Sequence, residues 1–332
     1  MAISKINSPD SLSPSRAAVG ATNIDKYAIF AGGGGNSTIV EAYDKSLTKT
    51  FLNELGIGLV GLAASHSNVV ALFSAGRNSS SYYGLVTTTA YVDSIKLPSC
   101  DGLGLARSYA GATHIGDYIL FGGGSNKNGT VKNVDAYNAK SLTKATVDTL
   151  VRNKQNAAAT HVGDYAIFAG GNANNTYQDF YNTSLTHTYT NVYGIQTNSV
   201  STHVGNYALF GGGSSMLFYD SSLTISSSID GLSVSRTKPC GVNLNKCALF
   251  AGGNVSGTSS DVVDVYDTSL THSIATSLSK GRSELSSAHI GNIALFTGSA
   301  DGPSGYVDAY KSSSGLNVKQ IYKGFIQVID TQ

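Results

Sequence analysis

A short hydrophobic strand ending in Phe and a pair of small residues recurs seven times along this chain. It reads YAIFAGG at 27–33, VALFSAG at 70–76, YILFGGG at 118–124 and YAIFAGG at 165–171. YALFGGG at 207–213, CALFAGG at 247–253 and IALFTGS at 293–299 complete the series. The anchors Phe30, Phe73, Phe121, Phe168, Phe210, Phe250 and Phe296 lie about 44 residues apart. A strand-rich unit of that length buries its apolar faces by stacking on copies of itself, and the period is that of a β-propeller blade.

The third repeat shows the internal pattern. Strand one is expected over 107–115 (RSYAGATHI), followed by the tight-hairpin turn Gly116-Asp117. Strand two is YILFGGG, the loop SNKNGTVK varies between repeats, strand three is 133–138 and strand four lies within KSLTKATVDTL. Four short antiparallel strands per unit predict an all-β chain, a seven-bladed propeller of four-stranded antiparallel blades. The repeats run approximately 16–58, 59–106, 107–153, 154–195, 196–235, 236–281 and 282–330, which makes 1–332 a single domain. The segment 6–16 (INSPDSLSPSR) resembles the strand-four end at 227–236, so residues 1–15 are expected to supply a closing strand. The tail at 315–330 is the competing source of that strand.

Strand three ends at Tyr43, Tyr91, Tyr137, Tyr181, Tyr219, Tyr266 and Tyr310, and five of these open a turn signature of the form YDxSLT or YNxSLT. The small-residue doublet, the Tyr-Asp a fixed distance on and the Arg opening strand one resemble kelch repeats over nearly the whole chain. Kelch units usually carry a Trp in strand four. This chain has none, and Thr50, Thr188, Ser226 and Ser273 stand there. The resemblance is to a divergent kelch-like propeller of the kind seen in bacterial and phage proteins.

Seven copies also align with one another. Fourteen residues before the anchors stand Arg16, Leu59, Arg107, Lys154, Gln196, Arg236 and Arg282. Two residues before the strand-three tyrosines stand Glu41, Thr89, Asp135, Asp179, Leu217, Asp264 and Asp308. The second and fifth repeats lose base and acid together, a match that chance gives roughly one time in twenty, so contact is expected. Five structural pairs follow: Arg16–Glu41, Arg107–Asp135, Lys154–Asp179, Arg236–Asp264 and Arg282–Asp308. Seven residues before each anchor stand Asn23, His66, His114, His161, His203, Asn243 and His289, a repeated structural position near the first hairpin. His187 and His272 follow SLT, an exposed strand-four site.

Chemistry that some propellers use is missing from the sequence. There is no CxxC, HExxH or GxSxG, and no Trp for an Asp-box. The glycine doublets lead into strands rather than a helix N-terminus, so they are not phosphate loops. Cys100, Cys240 and Cys247 make no disulfide framework, and the last two occupy strand positions. No metal or cofactor is expected. The net charge is +1 with 13% charged residues, which argues against nucleic acid as a partner. No run is long and apolar enough for membrane insertion, and the opening MAISKINSPDSLSPSR has no signal-peptide core. The Gly-, Ser-, Thr-, Asn- and Tyr-rich polar content favours an extracellular or virion setting over the cytoplasm.

The variable loops between strands two and three are the expected ligand face. Their candidates are Arg77, Tyr82, Tyr83, Asn126, Lys127, Asn174, Asn175, Tyr177 and Asp301. Tyr stacks at low entropy cost, and Tyr and Asn hydrogen-bond to sugars or protein. The leading expectation is a non-catalytic recognition module for a glycan or protein surface. It suits a cell-surface or phage-virion receptor-binding or decoration component, assembled into a larger complex. A carbohydrate-active enzyme of oxidase or epimerase type using the funnel, and an intracellular interaction scaffold, are the alternatives. Funnel charges outside the base–acid pairs would favour the enzyme, and a Tyr/Asn-rich patch would favour recognition.

Overall fold

The computed structural model describes residues 2–67, 69–78, 84–98, 100–171, 176–195, 199–213, 215–227, 229–299 and 304–313. Their regular structure is all strand. Seven four-stranded antiparallel sheets form the blades of a β-propeller, with two small two-stranded ribbons outside them. Blade three runs outward from Gly111–Ile115 through Tyr118–Gly122 and Val134–Asn138 to Lys144–Ala145. The innermost strands touch their neighbours in turn, and Gly20–Ile24 of blade one touches Ser286–Ile290 of blade seven, which closes the ring.

Residue pattern follows position in the blade. Strand two is covered on both sides by neighbouring blades, so YAIFA at Tyr27–Ala31 is almost continuously buried rather than alternating. Innermost strands alternate: in Gly111–Ile115 the first, third and fifth residues pack between blades and the others face the axis. Each anchor Phe meets the Tyr of its own strand three edge to face, at centroid distances from 5.8 Å for Phe296–Tyr310 to 6.1 Å for Phe210–Tyr219. The tyrosine hydroxyls stitch blade to blade. Tyr43 donates to the Asp10 carbonyl at 2.7 Å and Tyr310 to that of Thr276 at 2.8 Å.

The second glycine of the doublet is required by contact. Gly33, Gly124 and Gly253 all have φ +108°, and a Cβ there would lie 2.7, 2.7 and 2.8 Å from the carbonyl oxygens of Ala17, Ser108 and Thr237. No L side chain fits that approach.

The base–acid pairs are buried within the blades. Arg107 Nη1 reaches Asp135 at 2.7 Å and Lys154 reaches Asp179 at 2.9 Å. Arg16 pairs with Glu41, Arg236 with Asp264 and Arg282 with Asp308. Each base also donates to backbone carbonyls, as Arg236 does to Phe250 O at 3.0 Å. Each acid accepts the backbone N–H three residues before its base: Ser13, Gly104, Val151, Ser233 and Ser279, at 2.7–3.0 Å. Burial alone would raise the Asp264 carboxyl, but the charge of Arg236 and the Ser233 bond outweigh it and hold it below the usual carboxylate range.

A third partner comes from strand four. Lys49, Lys144, His187 and His272 contact the acids Glu41, Asp135, Asp179 and Asp264. The sequence expectation that His187 and His272 are exposed is therefore corrected. His187 Nε2 lies 2.9 Å from Asp179 with its ring stacked 4.7 Å from Tyr181, and His272 does the same with Asp264 and Tyr266. Their spacing after SLT puts them opposite that Tyr in the ladder, facing inward.

Closure comes from the N-terminus. Ile3–Ile6 pairs antiparallel with Val307–Ser312 as the outer strand of blade seven. Lys5 sits opposite Tyr310 and reaches Asp308 at 2.7 Å, the role of Lys49 in blade one. The strand lies earlier than the 6–16 resemblance. The competing tail at 315–330 lies outside the described residues.

Two strand boundaries also move. Strand one of blade three begins at Gly111, not at residue 107, because Tyr109 is left-handed at φ +57° and ends the extended run. Strand four shrinks to Lys144–Ala145. Its turn follows YNxSLT chemistry: Asn138 Oδ1 accepts from Lys140 and Ser141, and Leu142 is left-handed. In the SLT turns Asp44 and Asp267 do the same.

Asp264→Ala strands Arg236 in the blade and is expected to cost about 3–5 kcal/mol in urea unfolding. A cost below about 0.5 kcal/mol would mean that the pair is not buried. Deleting residues 1–6 bares the Val307–Ser312 edge, and a lower Tm with new self-association by light scattering is expected.

Candidate functional site

Strand direction polarises the central channel. Residues preceding the innermost strands form its mouth, on the side where strand two ends and the variable loops begin. Residues near the first hairpins form its other end.

The mouth is a cavity of about 520 Å³, in the size range of small-ligand sites. Its rim comes from one repeat position, two residues after the place that holds the base in five repeats and Leu59 in the second: Ala18, Gly61, Tyr109, Asn156, Lys238 and Glu284. Asn198, the seventh, lies outside the described residues. All six are left-handed, from φ +50° at Glu284 to +64° at Gly61. Five are not glycine, a strained choice that clusters at functional sites. Backbone bonds run round the rim, from Tyr109 N to Gly61 O at 3.1 Å and from Asn156 N to Tyr109 O at 3.0 Å. The floor is mostly apolar, with Val19, Leu62, Val200 and Leu285 beside Ser199 and Ser286.

Tyr109 is the fixed element of the rim. A Cβ on Gly61 would lie 2.7 Å from its ring, so the glycine makes room for the ring across the opening. Arg77, whose backbone pairs with Val60 beside that glycine, donates to the Tyr109 hydroxyl, from Nη2 at 3.1 Å and Nε at 3.3 Å. Lys238 and Glu284 pair on the rim, their side chains 43% and 40% exposed.

Of the residues expected to bind ligand, Arg77 is thus brought to the mouth. Asn126 and Lys127 lie in a small ribbon, Ser125–Asn126 with Gly129–Thr130, where Asn126 Oδ1 accepts from Asn128 N at 2.8 Å. Tyr177 packs toward the blade's outer edge, 5.1 Å from the Arg152 guanidinium and 6.1 Å from the Tyr189 ring. Tyr82, Tyr83, Asn174, Asn175 and Asp301 lie outside the described residues. Sequence reasoning missed Tyr109, Asn156, Lys238 and Glu284. The signal was weak: this repeat position varies from Ala and Gly to Tyr, Asn, Lys and Glu, but the position before it also varies, from Val60 to Gln155, and the one after it from Val19 to Pro239.

Toward the hairpin end, His66, His114, His161, His203 and His289 meet on the axis with Asn23 and Asn243, in a space of about 160 Å³. Adjacent rings lie 4.9 Å (His66–His114), 4.3 Å (His114–His161) and 4.2 Å (His161–His203) apart. Burial and, secondarily, the other histidines push His114 and His161 down to about 3, and burial with His114 and His289 pushes His203 down to about 4. No set of three His, Cys, Asp or Glu among the described residues could hold a metal ion.

Fold and site define a seven-bladed β-propeller with a polar, aromatic-rimmed channel mouth. Compared with known proteins, the chain matches no family model and no curated sequence. No helix among the described residues is long and apolar enough to cross a membrane.

The ring histidines bind protons more weakly folded than unfolded. Stability from this source is complete above their unfolded value near 6.5 and lost as pH falls toward 3–4. Tm is therefore expected to fall steadily from about pH 6.5 to 4. His114→Asn/His161→Asn/His203→Asn, which copies Asn23 and Asn243, should flatten that slope. An unchanged slope would place the acid sensitivity elsewhere.

Proposed function

We propose that this chain is a divergent kelch-type propeller acting as a non-catalytic recognition module, which binds a glycan at its channel mouth. The observation that carries this reading is Tyr109, an aromatic face held in place by Gly61 and Arg77 over a mostly apolar floor and flanked by Asn156. A pyranose offers one apolar face and a rim of hydroxyls. An aromatic plane with neighbouring amides matches both, and fixing the ring beforehand removes ordering cost on binding. The +1 net charge fits a neutral ligand bound by stacking and hydrogen bonds. A cell-surface or virion component that decorates a particle or attaches it to a host is the setting this reading fits best.

Lys238 and Glu284 favour a second reading, a carbohydrate-active enzyme, because they are funnel charges outside the structural pairs. Their mutual pairing supports recognition instead, since it leaves Glu284 engaged with a cation rather than aimed at a substrate.

Binding of the purified protein to a broad glycan array, beside Tyr109→Ala and Gly61→Ala, tests the proposal. A defined set of bound glycans is expected, with a loss of tenfold or more in Tyr109→Ala, about 1.4 kcal/mol. Binding retained in both variants would remove the mouth as the site. Turnover of the bound glycan, abolished by Glu284→Gln, would establish the enzyme.

A further inference from the structure

The ring of five histidines and two asparagines lies at the opposite end of the channel from the mouth. Three observations concern it. First, the ring nitrogens of His114, His161, His203 and His289 have no hydrogen-bond partner among the described residues; His66 contacts Thr22 Oγ1 at 3.1 Å and Asn23 Nδ2 at 3.3 Å. Polar edges of the four rings are therefore left to whatever fills the axis. Second, no Asp, Glu, Lys or Arg is among the residues lining this space. Third, a separate cavity of about 440 Å³ reaches His114 and His161 from the hairpin face, which gives solutes a route in.

Charge balance then decides what can happen there. A buried cation without a counter-charge is costly, and buried charges are paired. The surroundings supply no partner. Inner strands contribute Ala, Ser, Thr, Gly and Val beside the His and Asn. Among carboxylates in the hairpin turns, Asp117 is paired with Lys140 at 3.0 Å and Asp25 lies 3.9 Å from Lys45, while Asp164 is exposed at its turn. The hairpin lysines Lys26 and Lys246 carry the wrong sign, and Lys26 is held by Asp93 at 3.0 Å. The charge must come from solution.

We propose that this ring is a proton-linked anion site: an imidazole takes a proton from solvent, and a small inorganic anion of the halide or oxyanion class enters the axis as its counter-ion. Imidazole N–H groups and the Asn23 and Asn243 carboxamides are its donors. The size of the ring suits this ligand. Neighbouring ring centres stand 4.2–4.9 Å apart, and His66 and His289 approach to 6.4 Å across Asn23, so the space they enclose, about 160 Å³, admits a small anion and no large ligand. No three of the described His, Cys, Asp or Glu side chains are placed to hold a metal ion instead. Because proton and anion enter together, acid should strengthen anion binding, and the anion should ease protonation.

Thermal unfolding of the full chain at about pH 4.5 and pH 8 tests this, with sodium chloride or sodium phosphate replacing sodium gluconate at fixed ionic strength. At the lower pH a Tm gain of roughly 2 °C or more is expected from either small anion at tenfold its Kd, with none at the higher pH. The gain should vanish in His114→Asn/His161→Asn/His203→Asn. An equal gain at both pH values, a gain retained in that variant, or no gain at all would overturn the proposal. Should the triple variant not fold, ¹⁵N-histidine titration of the unaltered protein decides. Ring pKa values that rise with chloride support the site, and values indifferent to chloride and phosphate refute it.

Discussion

Each of five blades is organised around one buried carboxylate. It takes the base that opens the repeat, the backbone N–H three residues earlier and a Lys or His from strand four, so one side chain ties its own strand to two other segments of chain. Such a hub gives little net stability, because desolvation offsets attraction, but it penalises every arrangement that leaves a charge unpaired. It thereby sets the angle at which the chain enters the innermost strand. Where the hub is missing, the pair is replaced without a charge: Leu59 is buried and lines a cavity together with Thr89 in blade two, and Leu217 is buried in blade five.

Both ends of the channel depend on this entry. The rim residues lie two positions after the base, in a left-handed turn that the base and the glycine doublet hold from either side. Strain at the five non-glycine positions is tolerated because each follows a hub that over-determines the backbone around it, and in blade two, which lacks the hub, the position is Gly61. Recurring residues build the scaffold, and a position outside that pattern carries Tyr109, Asn156, Lys238 and Glu284. Five positions further along, strand two's pairing turns the His and Asn side chains onto the axis. The same geometry, repeated around the ring, produces a polar rim at one end and a crowded imidazole ring at the other.

The N-terminal strand shows how local chemistry and closure agree. Lys5 stands opposite Tyr310 as Lys49 stands opposite Tyr43, so blade seven is completed with its own hub although its parts lie at opposite ends of the sequence.

Blade number, strand order, the Phe–Tyr core and the base–acid partners were legible in the sequence, because seven copies expose both period and co-variation. Arg77 was legible as a loop candidate, but its bond to Tyr109 was not. Tyr109 read as part of a strand, since a left-handed turn in a non-glycine residue has no propensity signal. His187 and His272 read as exposed, since the period of a four-residue strand does not say which face the neighbouring Tyr covers. The five histidines and two asparagines read as seven separate hairpin positions. Only ring closure decided that they meet: an inner-strand residue touches its counterpart 40 or more positions away, a contact made by the packing of blades around the axis and not by the order of residues within any one of them.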